Sequence, residues 1–158
     1  MKQSSFRDAM TTLASGVSVL TTNGSEGTYG ITITSLTSVT DTPPTLLACI
    51  NRNGIANQIF KANKKVCINI LNASQAAIGQ QYASKSEQQK LFDNLQWYIQ
   101  QDLPPELKEA ASILQGTVSS VVEYGTHSVF FIQIDTIKSS HNTDALVYFH
   151  RQFIKIRG

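Results

Sequence analysis

Residues 29–51 read YGITITSLTSVTDTPPTLLACIN, and this stretch decides the fold. From Tyr29 to Thr34 apolar and hydroxyl side chains alternate, Ile31 and Ile33 against Thr32 and Thr34. A two-residue period of that kind is the mark of a strand with one buried face. Pro43-Pro44 breaks the run, and Thr45–Ile50 (TLLACI) reads as another strand behind the break. Upstream, Val17–Thr22 (VSVLTT) is short and β-branched, and Asn23-Gly24 with Gly27 supplies a hairpin turn into YGITIT. Three strand signals in about thirty residues predict a meander or barrel.

Working outward, residues 4–14 carry Phe6, Met10 and Leu13 at helical spacing, with Ser4 or Ser5 available as cap and Gly16 as the stop. Helical spacing returns at 55–62 through Ile55, Ile59 and Phe60, and Val66–Leu71 (VCINIL) follows as a strand. Residues 73–83 read as a helix, and Ser84 with Glu87 has the spacing of a capping box that opens another short one carrying Leu91 and Phe92. The stretch 94–112 is irregular and broken by Pro104-Pro105. Strands are expected at 115–124, 128–138, 145–149 and 152–156, the first pair joined at Gly125-Thr126. Strands with helices inserted between them, and no regular alternation of the two, argue against a doubly wound parallel sheet. They predict a mainly β fold, an antiparallel barrel with short helices on its outside. With 158 residues and no repeat, linker or low-complexity segment, residues 1–158 are expected to form a single domain.

Composition narrows the function. Hydrophobic residues are 41% and charged residues 15%, as in a globular chain whose surface leans on uncharged polar groups. A net charge of +2 without a run of Lys or Arg is too weak for a nucleic-acid footprint. Cys49 and Cys67 sit inside apolar runs, outside any CxxC pair, and read as small buried hydrophobes in a reducing compartment. The opening MKQSSFRDAM lacks an apolar signal core and no stretch approaches membrane-spanning length, so a cytoplasmic protein without membrane contact is expected.

Several chemistries leave no trace. GxGxxG after a strand, GxxxxGK[ST] and GxSxG are all missing. His127, His141 and His150 lie on different segments without metal spacing, so no metal site is expected. Hydride transfer between two cofactors needs no activated nucleophile, because the reacting atoms belong to the cofactors and the protein has only to hold them in register. A binding module would look equally bare.

Phe6-Arg7-Asp8-Ala9-Met10 and Gly16-Val17-Ser18-Val19-Leu20-Thr21-Thr22 resemble the opening of the flavin reductase-like family. The block from Gly30 to Pro44, running on through Leu47-Ala48-Cys49-Ile50-Asn51, resembles that family's flavin-binding segment more specifically. Gly125-Thr126-His127 and Tyr148-Phe149 with Arg151 and Phe153 resemble its later motifs, so the likeness spans roughly residues 6–154. Residues 84–112 match poorly, Glu109 stands where a small residue is usual, and Thr40 replaces a commoner Ser while keeping the hydroxyl. The particular likeness is to the reductase components of two-component monooxygenases of the 4-hydroxyphenylacetate type.

The resemblance implies an antiparallel split β-barrel of the FMN-binding type and a homodimer with its flavin sites near the subunit interface. It implies hydride transfer from NADH to FMN or FAD, and a separate oxygenase that collects the reduced flavin by diffusion. The absence of a basic cluster for a 2′-phosphate favours NADH over NADPH. The alternative is a non-catalytic flavin-binding module on the same barrel. A barrel for single-stranded nucleic acid would want a basic, aromatic strand face that this chain does not offer.

Residue by residue, Thr32, Thr34, Ser35, Ser38, Val39 and Thr40 read either as half-exposed strand or, through the resemblance, as contacts to the flavin ring edge and ribityl phosphate. The resemblance adds Cys49 to the flavin contacts. Asn51, Ala56 and Asn57 lie where a strand gives way to a helix beginning near Ile55; they are turn and cap residues, or they bring the flavin phosphate to the helix N-terminus, with Arg52 or Lys61 adding charge. His127 is a solvated turn residue or, by resemblance, the neighbour of the nicotinamide nucleotide. Tyr148 and Phe153 are barrel aromatics or a cofactor platform, and Arg151 between them caps the sheet edge or reaches a phosphate. Tyr82 is expected to pack its helix onto the barrel and Trp97 to anchor the irregular segment.

Overall fold

Strand β2 (Ser18–Thr22) is buried along its whole length, because it is covered on both faces. Val19 points into one apolar cluster with Val17, Leu71, Tyr82 and Trp97, while Leu20 points into another with Ile68, Phe60 and Phe130. Alternation therefore decides which of two cores each side chain enters. Each fully buried Leu or Phe in these clusters contributes about 1.5–3 kcal/mol relative to leaving it in water.

The computed structural model describes residues 2–84, 91–140 and 144–158. Around β2 lies a seven-stranded antiparallel sheet. Its other strands are β3 (Tyr29–Ile33), β4 (Thr37–Asp41), β5 (Pro44–Asn51), β6 (Lys65–Ile70), β9 (Ser112–Tyr124) and β10 (His127–Ser139), in the order β3-β2-β6-β9-β10-β5-β4. A second sheet joins β1 (Ser15–Gly16) to the hairpin of β11 (Ala145–Phe149) and β12 (Gln152–Ile156). A small ribbon pairs β7 (Trp97–Tyr98) with β8 (Glu106–Leu107). Helices α1 (Gln3–Met10), α2 (Ile55–Asn63) and α3 (Ala76–Ala83) flank the sheets, so the architecture is mainly β with flanking helices.

The connection between β3 and β4 bends the large sheet. These strands are its two edges, yet only residues 34–36 join them. Six strand spacings laid flat would cover roughly 29 Å, whereas the four Cα steps from Ile33 to Thr37 reach at most about 14 Å. The sheet must curl to bring its edges that close. Ser35 fastens the curl: its hydroxyl donates to the Cys49 carbonyl and accepts from the Cys49 amide, both at 3.1 Å. No ladder closes the two edges among the described residues.

The sequence expectations meet the structure unevenly. Helix α1 stops at Met10, short of the expected 14, because the hydroxyls of Thr11 and Thr12 turn back onto the carbonyls of Asp8 and Ala9. Its N-cap is Lys2, without a side-chain cap, and neither Ser4 nor Ser5 holds that place. Gly16 belongs to β1 and does not end the helix. Strand β4 falls where only a link was expected, and residues 94–112 carry β7 and β8. The helix expected from Ser84 lies largely at 85–90, outside the described residues, as does His141. Tyr82 packs as expected, ringed by Phe92 and Trp97 at 5.4 and 5.3 Å, and its hydroxyl donates to the Leu91 carbonyl. Gly30 is required beneath that ring, since a Cβ there would meet Tyr82 and Phe92 at 2.9 Å.

Candidate functional site

Three adjoining cavities follow the curl. The first, about 520 Å³, lies between β3 (Tyr29, Ile31, Thr32), the end of β5 (Cys49–Asn51), the start of α2 (Asn53–Ala56) and α3 (Tyr82, Ala83). The second, about 890 Å³, lies between α1 with the link after it, the 34–36 connector, Leu47 and Cys49 of β5, and Tyr148 and Arg151. The third, about 260 Å³, is walled by Thr32, Thr34, Gln80, Ala83, Tyr148 and Phe153. Thr32, Thr34, Cys49, Ala83 and Tyr148 each border two of the three, so the cavities form one groove.

The local chemistry follows from how each wall is held. The Thr32 hydroxyl donates to the Gly79 carbonyl at 2.7 Å and fixes α3 against β3. Asn51 Oδ1 accepts the Asn53 amide at 2.8 Å, an Asx turn that leads the chain into α2. The first turn of α2 receives no hydrogen bond from a side chain at its N-cap, Gly54, and Gly54 to Ala56 face the first cavity. Free amides at a helix start favour an anion. Burial raises the Tyr29 and Tyr82 phenols above their ordinary value, so both stay neutral. At the far end, Tyr148 and Phe153 stand 5.2 Å apart, and Arg151 Nη2 pairs with Asp8 Oδ1 at 2.6 Å. His150 and Arg151 both adopt positive φ, 46° and 61°, to make the tight β11–β12 turn that carries the guanidinium.

Of the residues expected at a site, the groove brings together Thr32, Thr34, Ser35, Cys49, Asn51, Ala56, Tyr148, Arg151 and Phe153. Ser38, Val39 and Thr40 stand apart on β4, exposed, with a bulge between Ser38 and Thr40. Asn57 is buried; its amide donates to the Ile50 carbonyl at 3.0 Å and its oxygen accepts from Ser128. His127 is exposed at the start of β10, its Nδ1 2.9 Å from the Thr126 hydroxyl, and it pairs in register with Asn51 at the rim of the first cavity.

The whole-chain comparisons agree on the family. The pattern of the flavin reductase like domain matches residues 10–157. The chain belongs to that family. It is 39% identical over 158 residues to the 4-hydroxyphenylacetate 3-monooxygenase reductase component of Pseudomonas aeruginosa, covering 99% of this chain and 93% of the relative. It is 40% identical over 153 residues to the FMN reductase (NADH) RutF of Pseudomonas syringae, covering 97% and 86%. The crystal structure of a candidate flavin reductase from Haemophilus somnus superposes with a TM-score of 0.93 at 35% identity, covering 99% and 100% of the two chains.

In this flavin reductase-like chain, sequence reasoning missed Tyr29, Ile31, Gly54, Tyr82 and the α1 residues Arg7 and Met10 as groove walls. It also missed that Arg52 and Lys61 converge. Glu123 of β9 bridges them, Oε2 at 2.8 Å from Arg52 Nη2 and Oε1 at 2.5 Å from Lys61 Nζ. The hydrogen bond from Lys61 and then the Arg52 charge hold the Glu123 carboxyl below its ordinary value. No local signal announces this contact, because the partners come from a helix, a loop and a distant hairpin.

Proposed function

We propose that this chain is an NADH-dependent flavin reductase that takes FMN or FAD in the groove along β3 and β5 and supplies reduced flavin to a separate oxygenase component. The groove carries the reading: five side chains each border two cavities, so one ligand can lie along all of them. The two larger cavities have volumes in the range of small-molecule sites. The lining fits a flavin, mixing polar Thr32, Asn51 and Asn53 with apolar Ile31, Ile55 and Tyr82, and an uncapped helix start faces the same cavity for a phosphate. The bound pair supplies the chemistry, a hydride passing from nicotinamide C4 to flavin N5.

The protein's work is placement. The amides of α2 hold the flavin phosphate, and Ala56 leaves room beside them. Thr32 fixes α3 against β3 and Ser35 fastens the connector to β5. Thr34 lines the second and third cavities, and Cys49 marks the point where the two larger cavities meet. Ile31, Ile55 and Tyr82 keep water from the reacting faces. His127 contacts the nicotinamide nucleotide at one rim, and Arg151 offers a guanidinium to phosphate at the other, beside Tyr148 and Phe153.

The same reading includes a homodimer. Helix α1 buries none of its residues, and β4 is an exposed edge; a second copy would cover both and bring Ser38, Val39 and Thr40 to a flavin at the interface. It also includes a split β-barrel, supported by the short β3–β4 connection, and one domain. A cytoplasmic location is supported by the unpaired Cys49 and Cys67. No helix among the described residues is long and apolar enough to cross a membrane.

The test mixes purified protein with NADH and FMN, then FAD, and follows the nicotinamide absorbance. Oxidation no faster than with flavin alone overturns the reading. Flavin binding without NADH oxidation would make the chain a flavin-binding module instead.

A further inference from the structure

We propose that Glu123 determines the choice of nicotinamide nucleotide by occupying, with its own carboxylate, the two cations that would otherwise receive a 2′-phosphate. The inference rests on the flavin reductase reading and adds a specificity residue to it. Arg52 lies in the loop whose Asn51, Asn53 and Gly54 wall the first cavity. Its backbone amide donates to the Thr126 carbonyl at 2.9 Å, and its Nη1 donates to the Gly125 carbonyl at 3.2 Å. The guanidinium is therefore held at the Gly125-Thr126 turn that leads into His127, the residue paired with Asn51. Lys61 reaches the same point from the last turn of α2.

An Arg and a Lys held this way form a good receptor for a phosphate monoester, a dianion with three acceptor oxygens. Glu123 fills that receptor from within the chain, with one oxygen on each cation. A 2′-phosphate arriving here meets cations already neutralised and a carboxylate that repels it. A 2′-hydroxyl carries no charge and meets no such barrier. The hairpin thus selects against NADPH by a repulsive element as well as a withheld attractive one.

Replacing Glu123 by Gln removes the charge and keeps the shape. Each exposed ion pair is worth up to about a factor of five, so Glu123→Gln is expected to raise the ratio of kcat/KM for NADPH over NADH by about fivefold to tenfold. The gain should shrink as salt rises from 0.05 to 0.5 M, because the new contact is a screened surface attraction. It should vanish in Glu123→Gln combined with Arg52→Ala and Lys61→Ala. A ratio unchanged in Glu123→Gln, with NADH still oxidised, overturns the inference and leaves the reductase reading intact. Calorimetric titration with 2′,5′-ADP and 5′-AMP separates the two questions if neither protein oxidises NADH. Tighter 2′,5′-ADP binding to Glu123→Gln than to the wild type supports the role of Glu123, and equal binding overturns it.

Discussion

The two larger cavities share Cys49 as a common wall but are finished to different degrees. The first is closed by elements that bury their own side chains deeply: Ile50 from β5, Ala56 from α2 and Tyr82 from α3 are each under 9% exposed. The second leans on α1, whose Phe6 and Met10 are 54% and 45% exposed, with Leu13 just beyond at 58%. A helix with an apolar stripe and nothing to bury it against is stable only when something covers the stripe. The chain therefore closes one end of its groove alone and leaves the other open; in the proposed homodimer a second copy would cover it.

The strongest way to break this comparison is to charge the uncovered stripe. Phe6→Glu with Met10→Glu removes two large apolar contacts from each copy, four per dimer. At about 1.5 kcal/mol each this is roughly 6 kcal/mol, a weakening on the order of ten-thousandfold. Light scattering should show the wild type at about twice the chain mass and the variant at the chain mass. Its melting curve, taken at a concentration where both proteins are monomeric, should barely move, because neither residue is buried in the single chain. A variant that stays dimeric, or a wild type that is monomeric at micromolar concentration, would show that α1 is not the covered face.

Much of the first cavity was legible in the sequence. The Ile/Thr alternation of 29–34 gave β3 directly, and TLLACI gave the buried part of β5. Strand β4 escaped because Thr37–Asp41 is exposed along its whole length and carries no alternation, so its Thr, Ser and Asp look like loop residues before the proline pair. The hydroxyls and Cys49 were visible as site residues only through the family resemblance; their own pattern is that of ordinary strand. Tyr82 and Gly54 stayed hidden as walls because they meet β3 and β5 through tertiary packing. The Thr32 bond to Gly79 spans 47 residues and the Lys61 bond to Glu123 spans 62, distances over which no periodicity speaks.

A smaller effect sharpens the assignment of the first cavity's rim. His127 faces Asn51 in register but is exposed and carries no core contact worth protecting. If it contacts the nicotinamide nucleotide, His127→Ala should lose one hydrogen bond to a charged ligand, roughly 1.5–3 kcal/mol, or about tenfold to a hundredfold in kcat/KM for NADH. Flavin affinity and circular dichroism should stay as they are. Steady-state kinetics with NADH varied at saturating flavin would check this, and full efficiency in a folded variant would return His127 to the role of a solvated strand end.

The smallest effect separates the two thiols. Cys67 of β6 is fully buried; burial, and after it the negative charge of Glu106, pushes its thiol up to about 12 from 9.0. Cys49 is partly exposed where the two cavities meet. A thiol-specific chromogenic reagent at pH 8 should therefore modify Cys49 in the folded protein and Cys67 only after unfolding, since the thiolate is the reactive form. Added FMN should slow the first reaction if the flavin lies against Cys49. The raised value also fixes a direction for stability. The unfolded thiol ionises near 9 while the folded one holds its proton to about 12, so the contribution of neutral Cys67 is fully present below pH 9 and is lost as pH rises from 9 towards 12. Within that window the slope is at most about 1.4 kcal/mol per pH unit. Urea unfolding at pH 8, 9 and 10 should show stability falling less steeply in Cys67→Ala than in the wild type. Equal slopes would mean that the buried thiol is not what the alkaline limb reports.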